Sequence, residues 1–221
     1  MERRLEPQLM DDYAQAKAYA EADFQEVNQG FVDRFRQYFK EEEIRGPVID
    51  LGCGPADISI RFARAYPEAE VYAIDGSGWM LHFAEKLLVK EDETLKERVH
   101  LVKAIIPKDP LPVDGAVAII SNSLLHHLPE PMVLWETVKR YSRPDTLVFI
   151  MDLLRPESPE KAWQIVETYS SEEPDILKRD FFNSLCAAFT PEEIKDQLSK
   201  AGLPLQVDVV SDRHLLVWGK L

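Results

Sequence analysis

The 221-residue sequence predicts an α/β fold, a doubly wound and mostly parallel sheet covered by helices on both faces. Three observations carry that expectation. Short apolar runs bounded by turn residues recur from Val48 to Met151. Stretches with helical periodicity alternate with them. The chain then closes with a strongly signalled helix and two strands joined by a short linker, Ser211-Asp212-Arg213, as an antiparallel hairpin requires.

Taken in order, the first element is a helical stretch from Asp11 to Glu43. Phe31, Phe35 and Phe39 recur at four-residue spacing in it, beside Val32 and Tyr38, and Gly46-Pro47 ends it. Val48–Leu51 is a short buried strand, and Ile58–Tyr66 a helix with Asp57 in its first turn and Pro67 closing it. Val71–Ile74 is the second strand. The helix Trp79–Val89 follows, with Met80, Ala84, Leu87 and Leu88 on one face. Val99–Val102 and Ala116–Ile120 are strands three and four, Met132–Tyr141 a helix, and Leu147–Met151 strand five. The βα rhythm then breaks for a mostly helical stretch, Glu157 to Phe189, in which Leu177, Phe181 and Leu185 are in register. Thr190-Pro191-Glu192-Glu193 is a capping box with proline at the first helical position, and Gly202 is the matching C-terminal stop. Strands over 205–210 and 214–218 finish the chain. The whole reads as one domain over 1–221: a helical N-terminal cap (1–45), a core (46–155), a helical insert acting as a lid (156–189), and a C-terminal helix and hairpin (190–221).

With 45% apolar and 29% charged residues the composition is that of an ordinary soluble protein. No apolar run is long enough to span a bilayer, and the start MERRLEPQLMDDY lacks the apolar core of a secretory signal, so the expected location is the cytoplasm. Cys53 and Cys186 form no metal-ligand spacing and read as free thiols. A net charge of −13 without a Lys/Arg cluster disfavours a nucleic-acid partner and acidic membrane surfaces.

The chemistry concentrates in Pro47–Ser59, PVIDLGCGPADIS. A strand ends in Asp50 and a glycine turn, Gly52 and Gly54, where open α/β sheets bind ligands at the strands' C-terminal ends. Glycines let a ligand approach the backbone closely. A dinucleotide would place its pyrophosphate on the following helix and prefers G-x-G-x-x-G, but Asp57 stands at the third glycine position and Asp50 just before the turn. Two carboxylates repel phosphate. They suit a cationic ligand such as S-adenosylmethionine, which carries an α-amino group and a sulfonium and no phosphate.

Ile49-Asp50-Leu51-Gly52-Cys53-Gly54-Pro55 resembles motif I of the class I S-adenosylmethionine-dependent methyltransferases. Ile74-Asp75-Gly76-Ser77 resembles the acidic end of that family's second strand, where a carboxylate accepts from both ribose hydroxyls. Ser121-Asn122-Ser123-Leu124-Leu125-His126-His127-Leu128 resembles its motif after strand four, beside the methionine end of the cofactor. The resemblance covers Pro47 to Arg155 and resumes from Thr190. It implies a Rossmann-like methyltransferase fold with seven strands, the last antiparallel. It also implies S-adenosyl-L-methionine as cofactor, S-adenosyl-L-homocysteine as product, and cofactor contacts from Asp50, Gly52, Cys53, Gly54, Asp75, Gly76, Met80, Ala104, Ile105 and Asn122. The sequence departs from the family in two places. Ala56 replaces a third glycine. Ala104 stands where many members carry the acidic residue that binds adenine, so adenine is expected to rest on backbone groups and on Ile105 and Met80.

Each candidate has a plainer reading. Asp50 could accept backbone hydrogen bonds, Asp75-Gly76 could be an ordinary turn, and Cys53 reads as small filler rather than a nucleophile. His126 and His127 are the candidate catalytic residues, lining the mouth of the site. No metal is expected, because adjacent histidines point in different directions and no third ligand stands out. Asp152 and Arg155 could contact substrate or form a surface ion pair, and Tyr13 and Tyr19 could fold over the cofactor or sit in a buried helix. The expected reaction is in-line methyl transfer to a small, partly apolar acceptor, with the protein supplying proximity and exclusion of water. A non-catalytic cofactor-binding or regulatory protein, an NAD(P)-dependent oxidoreductase and an aminopropyl transferase are the competing readings.

Overall fold

The structure, a computed structural model, describes residues 1–6 and 11–221. Residues 7–10, inside the expected N-terminal cap, lie outside the described residues. Seven strands form one sheet in the order β3-β2-β1-β4-β5-β7-β6. They are β1 (Gly46–Leu51), β2 (Ala69–Asp75), β3 (Val99–Lys103), β4 (Ala116–Asn122), β5 (Ser142–Leu153), β6 (Gln206–Val209) and β7 (His214–Lys220). The first five pair in parallel, while β7 runs antiparallel to both β5 and β6. The strand order reverses between β1 and β4, the switch point at which such sheets open a crevice.

Alternation along the strands builds two cores. On β5, Val148 and Ile150 face one side, where they meet Leu134 and Trp135 of α6 (Met132–Tyr141) and Ile194 of α9 (Pro191–Ala201). Leu147, Phe149 and Met151 face the other side, toward Phe31, Val32 and Phe35 of α2 (Gln25–Tyr38) and Phe62 of α3 (Asp57–Ala65). Phe149 lies with its ring centroid 5.1 Å from that of Phe31 and 5.4 Å from that of Phe35, both edge to face. The helix α4 (Gly78–Leu88) and the single turn α5 (Glu93–Lys96) complete the βα crossovers. At α9, Thr190 Oγ1 accepts from Glu193 N–H while Glu193 accepts from Thr190 N–H, and Gly202 ends the helix at φ +67°.

The N-terminal cap differs from expectation. It is two helices, α1 (Tyr13–Glu21) and α2, because Ala22 turns extended and Asp23 Oδ1 accepts from Gln25 N–H to start the second helix. Residues 1–6 are not helical. They form an arm held along the end of α8 (Asp175–Ala187): Arg4 N–H donates to Cys186 O, and Arg3 Nε donates to Ala187 O. Within the helical insert α7 (Pro159–Ser170) packs on α8 around Ile165, Val166 and Leu185. Among the described residues no helix is long and apolar enough to cross a membrane.

Candidate functional site

The turn after β1 is built by backbone left-handedness and by its bonds to β2. Gly52 and Gly54 have φ of +71° and +53°. The N–H groups of Gly52 and Cys53 both donate to Ile74 O at 2.9 Å, and Gly54 N–H donates to Asp75 Oδ2 at 2.8 Å. Ala56, at φ +62°, also sits in the left-handed region. Its replacement of a family glycine therefore costs on the order of 1 kcal/mol in backbone strain, which its small size alone does not reveal.

Asp75 holds this turn and faces the cavity. Its Oδ1 accepts from Ser77 N–H at 2.8 Å, so both carboxylate oxygens are held by backbone donors. Burial raises its pKa, and the Ser77, Gly54 and Gly76 backbone bonds work against that rise.

A cavity of about 360 Å³ runs from this turn to the insert. Gly52, Gly54, Asp75, Gly76, Met80, Ala104 and Ile105 line one end. His126, His127, Leu177, Phe181 and Ser184 line the other, and Asn122 and Leu124 lie between. Tyr19 also lines the cavity, beside Phe24.

Several expected residues sit elsewhere. Asp50 is 2% exposed and faces α3, where Ser59 Oγ donates to its Oδ2. It and Cys53 line an adjoining recess, shared with Gly52, Gly54 and Asn122. Burial pushes Asp50 up to about 7, against the pull of Ser59 and helped by Asp75. Asn122 Oδ1 is buried without a hydrogen-bond partner and lines both spaces. The Cys53 thiol is pushed well above its ordinary value by burial and by Asp75 and Asp50, which leaves it inert. Asp57 does not stand as a bare charge, because its Oδ2 accepts from Arg61 Nε at 2.7 Å and from Asn28 Nδ2 at 2.9 Å. Its argument against phosphate is weaker than the sequence suggests. Ile105, expected to pack on adenine, has its N–H donating to Asp109 Oδ2 at 2.9 Å, so that backbone group is already engaged.

Tyr13 is 45% exposed and packs on Trp79 and Phe83, away from the cavity. Arg155 meets neither Asp152 nor the cavity. Its Nη2 donates to Glu193 Oε1 at 2.7 Å, so it braces the cap of α9. Asp152 is not at the surface either. It lies behind His126, accepting from Leu125 N–H and Leu153 N–H at 2.7 Å, and its Oδ1 is 2.6 Å from His126 Nδ1. Burial pulls the imidazole down, but Asp152 and Glu6 outweigh it and leave the pKa of His126 raised.

The two histidines do not diverge. They sit on a 3-10 turn, Leu125–His127, with ring centroids 4.3 Å apart. Glu6 arrives from the N-terminal arm, its Oε1 3.4 Å from His126 Nε2 and 3.2 Å from His127 Nδ1. Burial pushes the Glu6 carboxyl up to about 7, with His126 pulling against it. Glu6 is the third group that sequence inspection missed. Nothing local marks it, since it meets residues about 120 positions away. Ser184, Asp180 and His214 were missed at the cavity for the same reason.

Comparison with known proteins agrees with this geometry. The family described as "Methyltransferase domain" matches residues 48–145. An uncharacterized methyltransferase of Schizosaccharomyces pombe is 31% identical over 100 residues, 44% of this chain and 36% of that protein. An uncharacterized chloroplastic methyltransferase of Arabidopsis thaliana is 28% identical over 182 residues, 81% of this chain and 48% of that protein. A ubiquinone/menaquinone biosynthesis C-methyltransferase of Syntrophotalea carbinolica is 28% identical over 115 residues, 52% of this chain and 46% of that protein. The chain thus spans less than half the length of these three relatives. Among solved structures, a SAM-dependent methyltransferase from Aquifex aeolicus superposes with a TM-score of 0.68 at 20% identity, over 95% of this chain and 98% of that one. The plantazolicin methyltransferase BpumL, solved with SAH, gives 0.67 at 15% identity over 94% and 89%. Both likenesses are likenesses of fold. With motif I, the acidic end of β2 and the matched core in one crevice, residues 48–145 match the methyltransferase domain family, and the fold is that of S-adenosylmethionine-dependent methyltransferases.

Proposed function

We propose that this chain transfers a methyl group from S-adenosylmethionine to a small-molecule acceptor bound under α7 and α8. The observation that carries the reading is the single cavity joining Asp75 and the glycine turn to His126, His127 and the apolar face of α8. The residues fit the cofactor. Asp75 lines the cavity with an oriented carboxylate, an acceptor suited to a ribose hydroxyl. The buried, unpartnered Asn122 Oδ1 is an acceptor in search of a donor such as an ammonium. Asp50 lines the recess beside it, a further oxygen acceptor near an ammonium there. Met80 and Ile105 offer apolar walls for a flat ring. When bound, S-adenosylmethionine supplies a methyl group on a sulfonium, whose leaving group is already activated. The chain's own task is then to align the acceptor and exclude water, which Leu177 and Phe181 favour.

The acceptor class follows from the walls. Among the described lining residues Arg213 is the sole Lys or Arg, against Asp23, Asp75, Glu173 and Asp180. Such a lining disfavours polyanions and suits a small, partly apolar molecule. The ubiquinone/menaquinone relative, named for a small-molecule pathway, supports the same class.

The test is calorimetric titration with S-adenosylmethionine and with NADH, followed by S-adenosylhomocysteine release across a panel of small acceptors. Asp75→Ala should weaken cofactor binding at least tenfold, about 1.4 kcal/mol or more, through loss of a charged acceptor. Unchanged affinity in that variant, or binding of NADH instead, overturns the reading. Cofactor binding without turnover on any acceptor favours a regulatory protein.

A further inference from the structure

We propose that Glu6, His126 and His127 form a site for a divalent transition-metal ion of the zinc class at the acceptor end of the cavity. Their ligand atoms, one carboxylate oxygen and one nitrogen from each ring, all lie within 4.8 Å of one another. Two ligands bound tetrahedrally to one zinc at about 2.0–2.1 Å stand roughly 3.3 Å apart. Glu6 Oε1 stands 3.4 Å from His126 Nε2 and 3.2 Å from His127 Nδ1. Both carboxylate–imidazole distances are those of a ligand pair on one ion, and the two ring nitrogens lie within 4.8 Å of each other.

The proton arrangement points the same way. Asp152 accepts backbone N–H bonds from Leu125 and Leu153, so it serves as an acceptor for His126 Nδ1–H at 2.6 Å. That bond fixes the ring so that its other nitrogen, Nε2, points at Glu6 Oε1. A cation bound there would replace a proton between Nε2 and Glu6 Oε1. A carboxylate behind a metal-binding histidine is the usual outer-shell partner of such ligands.

Glu6 is placed deliberately. Its side chain is 8% exposed, and its Oε1 has no hydrogen-bond partner, while Oε2 accepts from Ser184 Oγ at 3.2 Å. The arm that delivers it grips the same turn that carries the histidines, since Arg3 Nη2 donates to His126 O and Leu128 O at 2.9 Å. Two imidazoles and one carboxylate suit zinc and its transition-metal neighbours, whereas magnesium and calcium prefer all-oxygen sets. Three protein ligands leave a coordination position open, and His126 and His127 both line the cavity. An oxygen or sulfur of the acceptor is the fitting fourth ligand. That last point rests on the methyl-transfer reading; binding of the ion does not.

The experiment uses the full chain, stripped with a chelator and titrated with Zn²⁺ without cofactor, with Co²⁺ substitution read by its d–d absorption. The expected result is one equivalent per chain and a four- or five-coordinate cobalt spectrum. Glu6→Gln and His127→Gln should each weaken binding at least tenfold, and Asp152→Asn by about 10–100-fold, the usual effect of an outer-shell partner. Thermal melts check that each variant is folded, and the cobalt spectrum of the unaltered chain stands even if one is not. Absence of stoichiometric zinc binding overturns the proposal and leaves a proton-bridged cluster in its place. Binding unchanged in both ligand variants overturns it too, as uptake by surface groups. S-adenosylmethionine affinity, measured separately, reports on the methyl-transfer reading alone.

Discussion

Replacing Gly52 by alanine should damage both ends of the cavity, because the added Cβ meets Leu124. A Cβ on Gly52 would lie 2.9 Å from Leu124 Cδ1, 3.0 Å from its Cβ and 3.1 Å from its Cγ. The position also has φ +71°, which costs an alanine about 1–2 kcal/mol. Overpacking of this kind adds about 1–3 kcal/mol, so the total is about 2–5 kcal/mol. Leu124 O accepts from His127 N–H at 3.0 Å, so a displaced Leu124 drags the turn carrying His126 and His127. Gly202 supplies the control. It has φ +67°, but an added Cβ would meet nothing within 4 Å, so Gly202→Ala should show the backbone cost alone. Leu124→Ala removes the Cγ and Cδ1 contacts and leaves the Cβ one. In combination with Gly52→Ala it should therefore recover part of the loss, with a favourable coupling of about 1–2 kcal/mol in a double-mutant cycle. The assay is urea denaturation of the four cycle members and of Gly202→Ala, with S-adenosylmethionine affinity alongside. Equal losses for Gly52→Ala and Gly202→Ala, or zero coupling with Leu124, would refute the steric argument.

The other expectations concern pH and the cap of α9. His214 is held at about 4 by burial, reinforced by Arg213 and Arg34 and opposed by Asp152 and Asp212. Its folded pKa lies below the ordinary value of 6.5, so the unfolded chain binds the extra proton and stability is lost as pH falls from 6.5 toward 4. Between pH 7.5 and 5 the loss from this group is about 2 kcal/mol, and His214→Gln should lack it in urea titrations at the two pH values. Parallel losses in both proteins would exclude His214 as the source. Thr190→Ala should cost about 1 kcal/mol through the capping box. Glu193→Ala should cost more, because it also strips Arg155, whose side chain is 8% exposed, of its partner; equal melting temperatures for the two variants would contradict this.

Where the sequence was legible, the signal was local. Met132–Tyr141 is a helix with the expected ends, and Thr190 and Gly202 bound α9 because their caps are written in adjacent residues. The βα rhythm from Val48 to Met151 follows from strands with one face on each core. Strand alternation also held information that motif reading passed over. Asp50 shares the face of Val48, which packs under α2 and α3, so its contact with Ser59 follows from period two. Asp152 shares the face of Val148 and Ile150, on the side of Leu125 and Leu128, so its reach to His126 follows from the same rule. The break at Ala22 was hidden because the apolar stripe of α2 was extended backward over α1, whose exposed Tyr13 does not belong to it.

The two ends of the cavity differ in how the chain makes them, and that difference explains what each comparison detects. The cofactor end comes from the ends of neighbouring strands β1, β2 and β4, with the Gly52–Gly54 turn bonded to Ile74 and Asp75 some twenty residues on. Its strand-end residues are tied to a sheet that every relative of this fold must build, and the matched core, residues 48–145, contains Gly52, Gly54, Ile74 and Asp75. The acceptor end is assembled from residues 1–6, from the turn at Leu125–His127 and from α8, segments that meet only in three dimensions. Two of those three lie outside the matched core. Substitutions at Glu6, Leu177, Phe181 or Ser184 leave every sheet contact in place, so they can retune the acceptor at little cost to the fold. On the proposed methyl-transfer reading, the choice of acceptor therefore falls to the arm and the insert, and the cofactor to the shared core.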